Sequence, residues 1–209
     1  MLISEVMKTN PVTVSADTKL SEAYRLMNEK GIRHLPVTDN NKLVGIVTDR
    51  DLRLATSKLA EHPFDPETEV KKIMSRPVQS AGPNDPVENA TQIMREMKIG
   101  CLPVVDEMEL VGIVTITDLL DALLKLTGVH QPSGRLDVRL SDKPGELAKL
   151  TALLAESRVN IHSILSYPEK DRKLRLVLRV GTIEMKRLAQ TICNAGFEVI
   201  WPIHIACVK

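Results

Sequence analysis

Two short motifs carry the residue types best suited to holding a ligand. They are Thr48-Asp49-Arg50-Asp51 and Thr115-Ile116-Thr117-Asp118, a Thr-x-x-Asp pair repeated 67 residues apart. Each follows an apolar Val-Gly-Ile-Val run and precedes an apolar-periodic segment, so each falls where a strand ends and a helix begins. Backbone N–H groups at such a point lack intrahelical partners and the helix dipole is positive, which favours an anion such as phosphate. A carboxylate there offers two acceptor oxygens, a geometric match to the 2′- and 3′-hydroxyls of a ribose. The apolar edge Leu35-Pro36-Val37 would complete a slot for a flat base. Thr-x-x-Asp ahead of a helix is equally the pattern of a helix capping box. Cap and ligand holder are compatible roles, and the sequence leaves both open.

The motifs belong to a longer duplication. Ile32-Arg33-His34-Leu35-Pro36-Val37-Thr38-Asp39 returns as Ile99-Gly100-Cys101-Leu102-Pro103-Val104-Val105-Asp106, and Leu43-Val44-Gly45-Ile46-Val47-Thr48 as Leu110-Val111-Gly112-Ile113-Val114-Thr115. A duplicated block of this size must pack against its twin to bury its apolar face, giving a two-fold pair with two equivalent clefts. Each copy opens with an extended piece after a proline, Val12-Thr13-Val14 and Val78-Gln79-Ser80. Leu20, Ala23, Tyr24 and Met27, then Val87, Ala90 and Met94, follow the helical period. Strands are expected over 35–38 and 42–47, and over 102–105 and 109–114, with closing helices from near Asp49 and near Thr117. Each repeat reads β-α-β-β-α. The predicted boundaries are 1–60 and 69–128 for the repeats, with linkers at 61–68 and 129–134.

Past Gly134 the pattern changes. Leu136, Val138 and Leu140 alternate as a strand, and Leu147, Leu150, Leu153 and Leu154 line one helix face. Strands over 159–165 and 174–180, a helix carrying Met185, Leu188, Ala189 and Ile192, and a last strand over 197–205 complete a β-α-β-β-α-β order. That is the ferredoxin-like arrangement for residues 135–209, with an open sheet edge that invites a second copy. The fold class is thus mixed α/β (α+β).

Composition narrows the function classes. Aromatic residues make up 2% of the 209 residues, so a base-stacking platform for single strands is not expected, and the core must be Leu, Ile, Val and Met. The net charge of +1 comes without a basic run, which argues against nucleic acid as a partner. No apolar stretch reaches the ~18 residues that would span a bilayer. The opening Met1-Leu2-Ile3-Ser4-Glu5 lacks a signal-peptide layout. Cys101, Cys193 and Cys207 show no CxxC spacing, so neither a disulfide framework nor a metal site is expected. The expectation is a cytoplasmic, reduced chain. No nucleophile–base pair, metal cluster or phosphate-loop lysine is visible, so no catalytic residues are assigned and no enzyme is expected.

His34-Leu35-Pro36-Val37, Val44-Gly45-Ile46-Val47-Thr48 and Asp51, with their counterparts, resemble paired CBS domains, the Bateman module. That resemblance implies adenosine-containing ligands (AMP, ADP, ATP or another adenosine compound) in the cleft between repeats. Thr48, Asp51, Thr115 and Asp118 would hold the ribose. Thr13, Val14, His34, Leu35, Pro36, Arg50, Gln79, Ser80, Cys101, Leu102, Pro103 and Thr117 would line the base or phosphate. Since His34 faces Cys101 and Asp49-Arg50 faces Ile116-Thr117, two unequal sites are expected, with phosphate preferred where Arg50 stands.

The C-terminal part resembles an ACT domain on Asp142-Lys143-Pro144-Gly145-Glu146-Leu147 and Val159-Asn160-Ile161. This implies a small metabolite, such as an amino acid, near Asp142, Pro144, Gly145, Asn160 and Ile161 at a dimer interface. Pro144-Gly145 is also adequate as a plain turn into a helix. The whole arrangement, with Lys125-Leu126-Thr127-Gly128 and Gln131-Pro132, is similar to the acetoin-utilisation B family. It implies a regulatory homodimer joined through CBS and ACT parts, in control of carbon metabolism, and names no protein target. A ligand-free dimerisation scaffold or accessory subunit is the other reading.

Overall fold

The computed structural model describes residues 1–203, and the chain divides into two units, Met1–Ala122 and a second from Leu123 onward. In the first unit, apolar residues at helical spacing form α1 (Leu20–Lys30), whose Leu20, Ala23 and Met27 are buried. The hairpin β2 (His34–Asp39) and β3 (Lys42–Thr48) follows, then α2 (Asp49–Ala55). The second repeat repeats this with α3 (Val87–Met97), β4 (Cys101–Asp106), β5 (Glu109–Thr115) and α4 (Ile116–Thr127). A two-residue strand β1 (Lys8–Thr9), not foreseen in the sequence, pairs with β5.

The extended pieces at the head of each repeat are shorter than predicted. They reduce to single bridges, Val14 to Val37 and Ala81 to Val104. These bridges align Val14 with Ala81, so Gln79-Ser80 correspond to Val12-Thr13, one residue off the expected pairing. In place of strands, Pro77, Val78 and Gln79 serve as cavity wall.

The two cores exchange their leading segments. Ile3, in a 3-10 turn, is fully buried among Val87, Ala90, Met94, Leu102 and Val114 of the second repeat. Val70, its counterpart, is fully buried among Leu20, Ala23, Val37 and Val47 of the first. Backbone bonds repeat the exchange: Ile3 N–H donates to Asp85 O at 2.9 Å, and Val70 N–H to Thr18 O at 2.8 Å. The next residues explain the Val-Gly-Ile pattern. A Cβ at Gly45 would lie 2.4 Å from Met74 Sδ, and one at Gly112 would lie 2.6 Å from Met7 Sδ. Glycine leaves room there for this close approach, and Met7 and Met74 pack against the strands.

The second unit contains β6 (Gly134–Ser141), α5 (Glu146–Glu156), β7 (Ile161–Glu169), β8 (Lys173–Val180), α6 (Met185–Asn194) and β9 (Glu198–Trp201). Its sheet runs β7-β8-β6-β9, all antiparallel neighbours. Leu136, Val138 and Leu140 face Leu150, Leu154, Leu188 and Ile192 in one core. The polar alternates of β6 cover the other face: Arg135 and Arg175 clamp the fully buried Asp137 at 2.6–3.0 Å. Burial pushes that carboxyl up, but the bonds from the two guanidiniums outweigh it and hold it below its usual range. The strand expected over 159–165 starts later and runs to Glu169, and part of the one expected over 197–205 lies outside the described residues. Among the described residues Cys101 is a buried free thiol. Among the described residues no helix is long and apolar enough to cross a membrane.

Candidate functional site

Both Thr-x-x-Asp motifs form the same local structure at the start of a helix. Thr48 N–H and Oγ1 donate to Asp51 Oδ2 at 2.9 and 2.7 Å, while Asp51 N–H donates back to Thr48 Oγ1 at 3.2 Å. In the second copy the distances are 2.8, 2.6 and 3.4 Å. The capping role is therefore real in both repeats. It uses one carboxylate oxygen, Oδ2, in each case. The second oxygen, Oδ1, is left over for something else.

What surrounds Oδ1 differs. Asp118 is 8% exposed, and its Oδ1 lies 3.8 Å from Lys8 Nζ. Asp51 is half-buried and has no ion-pair partner among the described residues. Sequence reasoning misses Lys8. The available signal is its offset partner: 67 residues on stands Ser75, so one cleft carries a cation where the other carries a hydroxyl.

A cavity of about 110 Å³ lies beside Thr48. It is lined by His34, Ile46, Thr48, Ser75, Gln79 and Cys101, with Pro77, Val78, Ile99, Gly100 and Pro103. His34 and Cys101, equivalent positions in the two repeats, thus share one cavity. Burial and then the Arg33 charge hold His34 below its ordinary value, with Asp51 pulling weakly the other way, while burial pushes the Cys101 thiol up to about 12. Both walls are therefore uncharged at neutral pH.

The remaining predicted residues lie elsewhere. Leu35 and Leu102 are fully buried core residues and Val14 is 8% exposed, so these side chains belong to the two cores. Pro36 is buried, Ser80 is half-buried, and Thr13, Arg50 and Thr117 are exposed. Arg50 does not line the cavity, so its expected phosphate role finds no support in the geometry.

In the second unit, Gly145 caps α5 with φ of 91°, a left-handed conformation that suits glycine, so the Pro144-Gly145 turn has a structural reason. Asp142, Pro144 and Gly145 precede α5, while Asn160 and Ile161 follow it. The helix spans about 16 Å, so one chain does not bring the two sets together. A cavity of about 620 Å³ opens on the α5 side of the first set, with Arg139, Ser141, Glu146, Lys149, Lys173 and Glu198 in its lining. Of these six only Glu146 falls in a motif quoted from the sequence; Arg139, Ser141, Lys173 and Glu198 come together through the pairing of β6 with β8 and β9, and Lys149 lies one turn along α5 from Glu146. Among the described residues no group of three His, Cys, Asp or Glu could hold a metal ion.

A duplicated α-β-β-α unit with two capped strand–helix junctions, Thr48 of the first lining a cavity together with residues of both repeats, followed by a ferredoxin-like unit, defines a tandem regulatory-domain protein. The chain belongs to the CBS-domain family, which matches residues 3–58 and 70–125, and it carries an ACT domain matched over 134–196. A CBS domain-containing protein of Dictyostelium discoideum is 38% identical over 139 residues, 60% of this chain and 93% of that one. The crystal structure of a putative acetoin utilization protein from Vibrio cholerae is 36% identical over 63% of this chain and 98% of that one, with a TM-score of 0.53. A CBS-domain pair in complex with 5′-methylthioadenosine and S-adenosyl-L-methionine is 30% identical over 59% and 95%, with a TM-score of 0.53. CBSX2 in complex with AMP is 29% identical over 59% and 96%, with a TM-score of 0.52.

Proposed function

We propose that this chain is a non-catalytic cytoplasmic sensor that binds adenosine-containing compounds in the clefts between its CBS repeats. The observation that carries the reading is the leftover carboxylate oxygen. In each repeat the capping box consumes Oδ2 and leaves Oδ1 for a ribose hydroxyl, and Thr48 of one box lines a cavity with residues of both repeats. Similar CBS pairs hold AMP, 5′-methylthioadenosine and S-adenosylmethionine, which supports this ligand class. A ligand bound at tens of micromolar supplies about 6 kcal/mol, enough to bias two states that differ by a few kcal/mol if its affinity for them differs.

The rest of the proposal concerns assembly. Ile116 and Leu120 stand exposed one turn apart on α4, and edge strand β7 carries no Asp, Glu, Lys or Arg before Glu169. Both features support a homodimer through the CBS and ACT parts. A metabolite touched by Asp142, Pro144 and Gly145 as well as Asn160 and Ile161 would have to lie between two copies, because one copy separates these sets. Control of carbon metabolism, such as acetoin utilisation, is the pathway-level reading supported by the Vibrio cholerae neighbour.

Calorimetry and melting-temperature shifts with AMP, ADP, ATP, S-adenosylmethionine and NAD test the sensor. Saturable binding that disappears in the Asp51→Ala/Asp118→Ala double variant is the expected result. Absence of binding by any adenosine compound would favour the scaffold reading, in which Asp51 and Asp118 act only as caps.

A further inference from the structure

The surroundings of the two motifs are copies in frame and unlike in charge. Lys8 pairs in register with Ile113, and Ser75 bridges Ile46, so the two residues occupy equivalent places beside the two motifs. Lys8 Nζ stands 3.8 Å from Asp118 Oδ1, the oxygen that the capping box leaves over. At the Asp51 cleft the equivalent residue is neutral, and no Lys or Arg lines the cavity there. We infer that Lys8 sorts ligands between the clefts: the Asp118 cleft takes phosphate-bearing adenosine compounds, and the Asp51 cleft takes adenosine compounds without phosphate. This inference rests on the adenosine-binding reading above.

The chemistry follows from what each ligand can return to the ammonium. A ribose hydroxyl that docks on Asp118 Oδ1 takes the place of Lys8. If the ligand carries a phosphate, the flexible lysine moves from one anion to another and gains a charge-assisted bond. If the ligand carries none, Lys8 loses its partner and gains nothing. The lysine side chain is 69% exposed, so its present pair with Asp118 is weak and easily exchanged. At the Asp51 cleft the trade reverses. A phosphate there would meet uncharged His34 and Cys101 and no Lys or Arg in the cavity lining, Arg33, Arg50 and Arg76 being exposed neighbours outside it, whereas an uncharged 5′ substituent fits apolar Ile46, Pro77, Val78 and Pro103.

The test uses the full chain with Asp51→Ala, so that only the Asp118 cleft reports, and compares AMP with 5′-methylthioadenosine by calorimetry. In this background Lys8→Ala is expected to weaken AMP by about tenfold or more. The same change should leave 5′-methylthioadenosine unchanged or tighter, because Asp118 Oδ1 is freed. Lys8→Arg should retain AMP, and Ser75→Lys in an Asp118→Ala chain should raise AMP affinity at the other cleft. Equal AMP affinity with and without Lys8 would overturn the inference and leave the adenosine reading intact. Failure of the unmodified chain to bind either compound would overturn both.

Discussion

Helices α2 and α4 begin with the same capping box and then diverge within one turn. On α2, Asp49 and Arg53 form an exposed ion pair at 2.9 Å. On α4 the equivalent positions are Ile116 and Leu120, 49% and 55% exposed. The divergence extends to the clefts, where His34 and Ser75 mark one side, and Cys101 and Lys8 hold the matching places in the second copy. Duplication preserved what the fold needs, the glycine under each methionine and the threonine–aspartate cap. It left free what a ligand or partner would read. The difference teaches where to look for function in a repeat protein: at the positions that the symmetry does not hold equal.

The sharpest way to break the comparison is to attack what the repeats share. Ile3→Ala and Val70→Ala each empty a fully buried site; the first should cost about 2–5 kcal/mol in chemical denaturation and the second about a third less, since it removes two carbons rather than three. Per carbon removed the two values should be similar, because the sites are copies. A loss confined to one of them would show that the cores are not equivalent.

Next come Asp51→Ala and Asp118→Ala taken singly. Each should lose about 1 kcal/mol of stability through the cap, and affinity for the adenosine compound held there should fall about 10- to 150-fold. Calorimetry that shows one site lost per variant would separate the clefts. Full binding in both variants would remove the ribose role.

A smaller effect sharpens the contrast of His34 with Cys101. The folded chain keeps His34 neutral below its ordinary value of 6.5, whereas the unfolded chain takes up a proton there. Stability is therefore fully present above 6.5 and falls as pH drops below it. His34→Cys, which copies the second repeat, should flatten the melting temperature across that window. NMR titration of the imidazole should show the lowered midpoint directly.

The smallest effect tests the helix faces. Arg53→Ala should cost no more than about 0.5 kcal/mol, the usual worth of an exposed pair one turn apart. The double change Ile116→Asp/Leu120→Arg gives α4 the α2 pair. It should leave the melting temperature nearly unchanged while reducing association in light scattering. Unchanged association would place the proposed dimer contact elsewhere.

Much of the fold is legible in the residues. The periodicity of Leu20, Ala23 and Met27, the alternation of Leu136, Val138 and Leu140, and the repeated Val-Gly-Ile-Val-Thr all point to the elements that form. Local patterns report local structure. They are silent on which distant segment fills a core, so the exchange of Ile3 and Val70 is invisible to them. Leu35 and Leu102 read as ligand residues because their motif surrounds a cleft, yet strand alternation turns them into the two cores. Asp142 and Asn160 are close in a motif description and a helix apart in space. Lys8 lies in a two-residue strand that no periodicity can announce.

The exchanged leading turns also bear on how such a chain can change over time. A module whose interior is sealed by its neighbour's first residues cannot be excised, reshuffled or evolved singly, since removing either half uncovers the other. The pair is the smallest heritable part.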